Sequence, residues 1–270
     1  MKKLVRSKRG VSNIISTLVI FTVMVSALGL AFSQIVPSLE RFQTESDMIT
    51  ATNSFLSFDS EIKRLISAPD NSSSVVRYNL DSGILDLTEE RENYLIITSG
   101  GDNLLNYSYS SGEVLYRIEG NFKGSGGLIY DFGSPLLLVY SINRTTQITN
   151  IAHQSFDGYK VLKLFYSAYV NIEKVSDTEV EINFMIVNLK TTRTAEGQGE
   201  YFPIINTAGK VMITKESQIT ESYDLGWRSD DLSMTASTSD FSQNIVYPIA
   251  PETFHLTLNV IHINIDFSTV

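Results

Sequence analysis

Three histidines, His153, His255 and His262, are the first residues to weigh for chemistry. His255 and His262 lie seven positions apart, so a regular strand turns them to opposite faces. A bulge between them would bring both to one face, but no nearby acidic triad completes a metal site. They read as exposed or hydrogen-bonded histidines. Gly124-Ser125-Gly126-Gly127 has the small residues of a phosphate loop but lacks its lysine and following helix. Asp230-Asp231 would hold calcium only weakly and matches no EF-hand spacing, so it reads as solvated loop acid. No GxSxG elbow, HExxH pair or GxGxxG loop occurs. With no cysteine in 270 residues there is no disulfide scaffold, thiolate zinc site or cysteine nucleophile. These residues assign no catalytic centre, metal or cofactor, and the chain is not expected to be an enzyme.

The spacings that do carry chemistry are modification signals. Asn71-Ser72-Ser73, Asn106-Tyr107-Ser108 and Asn143-Arg144-Thr145 are acceptor sequons, each at or near an expected turn or strand end. Lys8-Arg9-Gly10 lies directly against the apolar run that begins at Val11. A protease at a membrane face could cut there, remove the basic stub and leave the helix whole.

Charge distribution supports a membrane-facing reading. Residues 1–10 hold Lys2, Lys3, Arg6, Lys8 and Arg9 and no acid. Residues 11–39 hold no charge at all. Everything from Glu40 onward carries the other sixteen Lys/Arg and all 30 Asp/Glu, a net of −14 within an overall −9. An acidic body of this kind speaks against nucleic-acid binding. Ile14 to Val36 is a charge-free run of 23 residues, where about 20 span a bilayer. The preceding cations place the N-terminus in the cytoplasm and the body outside. Three outcomes fit: an uncut anchor, a secretory signal cut after Gly29-Leu30-Ala31, or a cut before the helix.

The junction and the helix together carry a family resemblance. Lys8-Arg9-Gly10 and Val11-Ser12, then an uninterrupted hydrophobic helix, resemble the class III signal peptide of archaeal type IV pilin-like proteins. Ile15 to Val25 also resembles the start of archaellins. The likeness covers about the first 40 residues. Asn13 and Ser16 stand where many archaeal pilins have proline and glycine. Ile15 stands where bacterial pilins place a glutamate. The resemblance implies cleavage by a prepilin peptidase between Gly10 and Val11, and assembly with other pilin-like subunits through the helix. Small residues recur four apart: Ser12 and Ser16, Thr22 and Ser26, Ala27 and Ala31, Gly29 and Ser33. Such pairs let helices approach closely, although ordinary membrane helices share this composition.

These signals must be positioned by two kinds of element. The expected organisation is a leader (1–10), a helix and stalk (11–70) and an extracellular β domain (71–270). Pro37 predicts a kink or short break near Gln34–Pro37. An apolar stripe then resumes through Leu39, Phe42, Met48, Ile49, Thr52, Phe55, Leu56, Ile62, Leu65 and Ile66, and Ala68-Pro69-Asp70-Asn71 ends it. From Val75 the period becomes two. Strands are expected at 75–80, 84–87, 94–98, 104–109, 113–119, 127–131 and 136–142, with turns at Ser99-Gly100-Gly101 and Ser110-Ser111-Gly112. Leu162 to Ile172 forms one long strand that pairs with Val180 to Ile186 across Ser176-Asp177. Leu256, Leu258 and Val260 give way to Ile261, Ile263, Ile265 and Phe267, a phase slip that predicts a bulge near Val260. Residues 191–200 and 216–251 read as irregular, and Trp227 reads as a core anchor in preference to a binding-surface aromatic.

The fold class is therefore α+β: a long hydrophobic helix followed by an antiparallel β-sandwich, Ig-like or larger, with a possible split at 150–158. The resemblance implies a surface-filament subunit. A body this large suggests a minor or specialised pilin, with a β domain for adhesion to an S-layer or another surface ligand. The alternative is a permanent membrane anchor that displays a binding module without polymerising.

Overall fold

The computed structural model describes residues 8–80, 82–120, 122, 126–140, 148–191, 208–238, 242–249 and 252–269. The chain divides into two compact units between Ser46 and Asp47. One helix, α1 (Lys8–Ile66), runs through that boundary. Thirteen strands follow: β1 (Ser73–Asn79), β2 (Ile84–Ser99), β3 (Asp102–Glu119), β4 (Ile129–Phe132), β5 (Leu138–Tyr140), β6 (Thr149–Phe156), β7 (Tyr159–Tyr166), β8 (Ala168–Lys174), β9 (Glu179–Lys190), β10 (Ala208–Arg228), β11 (Leu232–Ser237), β12 (Ser242–Tyr247) and β13 (Phe254–Thr269).

The helix is unbroken over Lys8–Ile66. It continues through Gln34–Pro37 without the expected break. Pro37 removes a single N–H, at a cost of about 3 kcal/mol, and the turns on either side keep their own bonds. Lys63 and Arg64 sit in the last turn, where cations favour the negative end of the helix. Ala68 N–H then closes on Leu65 C=O at 3.0 Å, and Pro69 prevents continuation.

In the second unit the strands form two sheets, in the orders β1-β10-β13-β9-β8-β5 and β12-β11-β2-β3-β7-β6-β4. Neighbours are antiparallel except β9–β13 and β5–β8, which run parallel. Those two pairs depart from the purely antiparallel expectation. The segment 150–158 forms most of β6 and its turn into β7.

Four local expectations need correction. First, the chain does not turn at Ser110-Gly112. β3 passes straight through, and β2 opposes Gly112 with a two-residue bulge between Thr88 and Arg91. A Cβ on Gly112 would lie 1.8 Å from the Leu189 carbonyl oxygen. The glycine therefore marks two backbones in close approach. Second, 162–172 is two strands. The chain leaves the seven-stranded sheet after Tyr166 and enters the six-stranded sheet at Ala168. Ser167 makes the corner, donating its hydroxyl to Leu136 C=O at 2.5 Å and accepting from Asn150 Nδ2 at 2.7 Å. Third, most of 216–251 is strand. Leu232, Met234 and Ala236 alternate as a buried row within β11.

Fourth, β13 has no bulge at Val260. Its register with β9 is unbroken from His255 to Asp266. The bulges lie in its other neighbour, β10, between Lys215 and Ser217 and between Asp224 and Gly226. The change of phase has another cause. Ile186 and Val187 are adjacent and both buried, and they belong to different cores. One core joins Val180, Ile182, Phe184, Leu256, Leu258 and Val260 to Leu95, Ile97 and Met234 of the other sheet. The second joins Val187, Leu189, Ile263, Ile265 and Phe267 to the end of α1. Since successive strand residues face opposite ways, the six-stranded sheet buries one face at one end and the reverse face at the other.

Candidate functional site

The first unit holds the residues that the sequence singles out. Among the described residues there is one helix long and apolar enough to cross a membrane, and its most apolar stretch is wholly exposed. Leu18, Phe21, Leu30 and Phe32 are each more than 60% exposed. They lie on several sides of the helix, and among the described residues of this unit nothing buries them. An apolar surface of this extent on one element is the mark of a buried partner or a lipid environment.

Two hydroxyls of this run bond within the helix. Thr22 Oγ1 donates to Leu18 C=O at 2.8 Å, and Ser33 Oγ donates to Leu30 C=O at 2.8 Å. Bonded in this way, these two hydroxyls present no unmet donor in a medium without water. Gly10, Val11 and Ser12 fall within α1. Ser16, Thr22, Ser26, Ala27, Gly29, Ala31 and Ser33 are all exposed on it. A Cβ on Gly29 would meet nothing within 4 Å.

At Asp47 the environment changes. Met48, Ala51, Phe55, Phe58, Ile62 and Leu65 are buried, whereas Ile49 is 64% exposed. The stripe is thus carried by Phe58 and Ala51 in addition to the expected Met48, Phe55, Ile62 and Leu65. Phe58 packs edge-on to Phe267 (6.1 Å between ring centres) and Tyr78 (6.5 Å).

Polar groups pin the same helix end, and they left no periodic signal in the sequence. The buried Asp59 carboxylate accepts from Thr149 Oγ1 at 2.6 Å, Tyr166 Oη at 3.0 Å and Lys63 Nζ at 2.8 Å. Asp47 accepts from Ser82 Oγ at 2.6 Å. Lys215, 3% exposed, donates to Ile66 C=O at 3.1 Å, Ala68 C=O at 2.8 Å and Gln218 Oε1 at 3.2 Å. It supplies the end of the helix with donors that the chain itself cannot provide. Glu61 lies below its ordinary range because Arg64 and Ser74 donate to it.

Tyr166 gives this junction a pH dependence. Burial, and then the Asp59 charge, push its phenol well above its ordinary value. The unfolded chain releases that proton near pH 10, while the folded chain keeps it. Folding therefore loses stability as pH rises past about 10, by at most about 1.4 kcal/mol per pH unit from this group. The stabilisation is complete below that pH. Tyr166→Phe is expected to lower stability at pH 8 by about 1–3 kcal/mol and to flatten the alkaline slope. Urea titrations at pH 8 to 11 would test this, and an unchanged slope in the variant would refute it.

The remaining sequence candidates are scattered. Asn71 is exposed at a left-handed turn position (φ 64°), and its N–H bonds Lys215 C=O at 2.7 Å. Asn106 is exposed inside β3, opposite Ile96, and not at a strand end. Asn143 lies outside the described residues, as do Gly124, Ser125 and 192–200. His153 pairs with Asp131 at 2.9 Å. His255 pairs with Asp224 at 3.2 Å. His262 Nε2 lies 2.6 Å from Tyr107 Oη, and burial lowers its pKa. With β13 unbroken, His255 and His262 stay on opposite faces. No group of three or more His, Asp or Glu side chains suited to a metal ion occurs among the described residues. Asp231 Oδ1 instead accepts from Ile249 N–H at 2.9 Å. Trp227 is 57% exposed, against the expectation of a core anchor. The bulge between Asp224 and Gly226 buries Leu225 and sets Trp227 in register with His255, on the open side of β13.

No family model matches the chain, and no curated protein or solved structure matches it.

Proposed function

We propose that this chain is a minor or specialised subunit of an archaeal type IV pilin-like surface filament, made as a single-span membrane precursor. The observation that carries the reading is the charge-free apolar run of 11–39 that follows the Lys8-Arg9-Gly10/Val11 junction, the most apolar stretch of which is wholly exposed. Such a helix can move from lipid into a bundle of its own copies without burying an unpaired charge. A prepilin peptidase would cut after Gly10. The cations would hold the leader in the cytoplasm, and the acidic β domain would stand outside. That domain is taken as a two-sheet sandwich, glycosylated at its exposed sequons, that attaches the cell to an S-layer or another surface. It performs no catalysis in this reading. The network of Asp47, Asp59 and Lys215 would hold the last turns of α1 against the strands, so that load on the domain passes into the helix.

N-terminal sequencing of the protein from its native cells tests this. A mature start at Val11 is expected, and Gly10→Val should leave an uncut, unassembled precursor. A start at Met1 with no filaments would favour the permanent anchor. A start near Phe32 would sink both.

A further inference from the structure

The reversal of buried faces leaves part of the six-stranded sheet open. The face that packs on α1 at one end is polar at the other, where it carries the odd-numbered residues of β8, β9 and β13. Strand register lays these side chains out in rows. One row runs Asn171, Asn183, Asn259 and Ser222 across β8, β9, β13 and β10. Two of its amides are joined: Ser222 Oγ donates to Asn259 Oδ1 at 2.7 Å, and Asn259 Nδ2 donates to Asn183 Oδ1 at 3.1 Å. The next row runs Glu173, Glu181, Thr257 and Asp224. Beyond it stands Trp227, beside His255 with 5.4 Å between ring centres. The His255 ring is held in turn by Asp224 at 3.2 Å.

We propose that this open face binds a neutral, hydroxyl-rich glycan chain. The proposal rests on the reading of the β domain as an outward-facing attachment module, and it names that module's ligand class. Three features support it. An exposed indole, packed on one side by the His255 ring, offers a flat apolar surface on which a sugar face can lie. The ordered amides, hydroxyls and carboxylates beside it supply mixed donors and acceptors for sugar hydroxyls. Charge selects among ligands: Glu173, Glu181 and Asp224 repel phosphate, nucleic acid and anionic lipid.

A built-in control exists. Asn188, Asn264 and Ser217 form a second ladder on the reverse face, with Asn264 Nδ2 donating to Ser217 Oγ at 3.0 Å. It resembles the first ladder in chemistry but points away from Trp227.

Trp227 is the only tryptophan, so its fluorescence reports on this face alone. The full chain would be held in a zwitterionic detergent free of sugar and titrated with laminarin, mannan and chitotetraose. A saturable change in Trp227 emission with at least one of them is expected. Trp227→Phe would remove that signal, and its binding would be followed by retardation in a glycan-containing native gel. Trp227→Ala should weaken retardation about tenfold or more. Asn259→Ala should weaken it several-fold and Asn264→Ala not at all. No response to any of the three glycans at millimolar concentration would overturn the proposal. So would equal loss in Asn259→Ala and Asn264→Ala, or an emission shift seen only with phosphatidylglycerol vesicles. Gly10→Val should bind glycan normally, which separates failure of this inference from failure of the filament reading.

Discussion

Phe58→Ala is expected to destabilise the β domain by about 3–5 kcal/mol. Phe58 is wholly buried, and its ring meets Phe55, Tyr78 and Phe267, which come from the helix, β1 and β13. Truncation removes a large apolar group and leaves a void that three rigid elements cannot close, since strands and a helix in contact cannot move independently. Ile49→Ala is the companion variant. It lies on the same helix, but it is 64% exposed and should change stability by less than about 0.5 kcal/mol. Urea unfolding of the full chain in detergent, followed by far-ultraviolet circular dichroism, measures both. Similar midpoints for the two variants would show that the last turns of α1 are not part of the core.

That contrast shows what the sequence could and could not reveal. The helix, its end near Pro69, the Ser99-Gly101 turn and the β8–β9 hairpin are written in local patterns, and each is found. The stripe beyond the apolar run was legible as a period but not as a face. Leu39, Phe42 and Ile49 keep the spacing yet stay exposed. A period of 3.6 says that residues share a side, and only the partner strands decide which side is covered.

The errors in the β domain arise where local pattern depends on distant partners. Sequence alternation locates a buried face only if one face stays buried along a strand. Here β9 and β13 change core partway, so Val260 to Ile263 looked like a bulge when the pleat was regular. Ser110-Ser111-Gly112 looked like a turn because a close approach of backbones needs glycine as much as a turn does. Trp227 was placed in the core by residue type alone, whereas the bulge at Leu225 puts it in register with His255 on the open side of β13. The candidate surface shows the same limit. Asn183, Asn259 and Ser222 are remote in sequence and carry no motif, and register alone makes them a row. Asp59 and Lys215 were invisible for a related reason: a buried charge is recognisable only with its partners.

Val23→Glu is expected to abolish stable membrane integration. Val23 lies well inside the charge-free run and is 61% exposed. A carboxylate near the centre of a membrane helix costs about 2.5–3.5 kcal/mol at insertion. No cation stands between residues 11 and 39 to pair with it. The variant should shift from the pellet to the supernatant on alkaline carbonate extraction, or fail to accumulate, while Val23→Leu stays in the pellet. Retention of Val23→Glu with wild-type yield would refute a membrane role for this helix. The same assay separates lipid contact from helix assembly when Gly29→Ile is added. Nothing in the isolated helix obstructs a side chain at Gly29, and isoleucine only raises apolarity, so membrane retention should be unchanged. Close packing against other copies would place a backbone at that position, and there the added side chain would obstruct contact. Filament loss with normal membrane retention is therefore the outcome that a helical filament core requires. Normal filaments in Gly29→Ile would move the packing surface elsewhere on the helix, and an absence of filaments in both wild type and variant would leave the helix as an anchor alone.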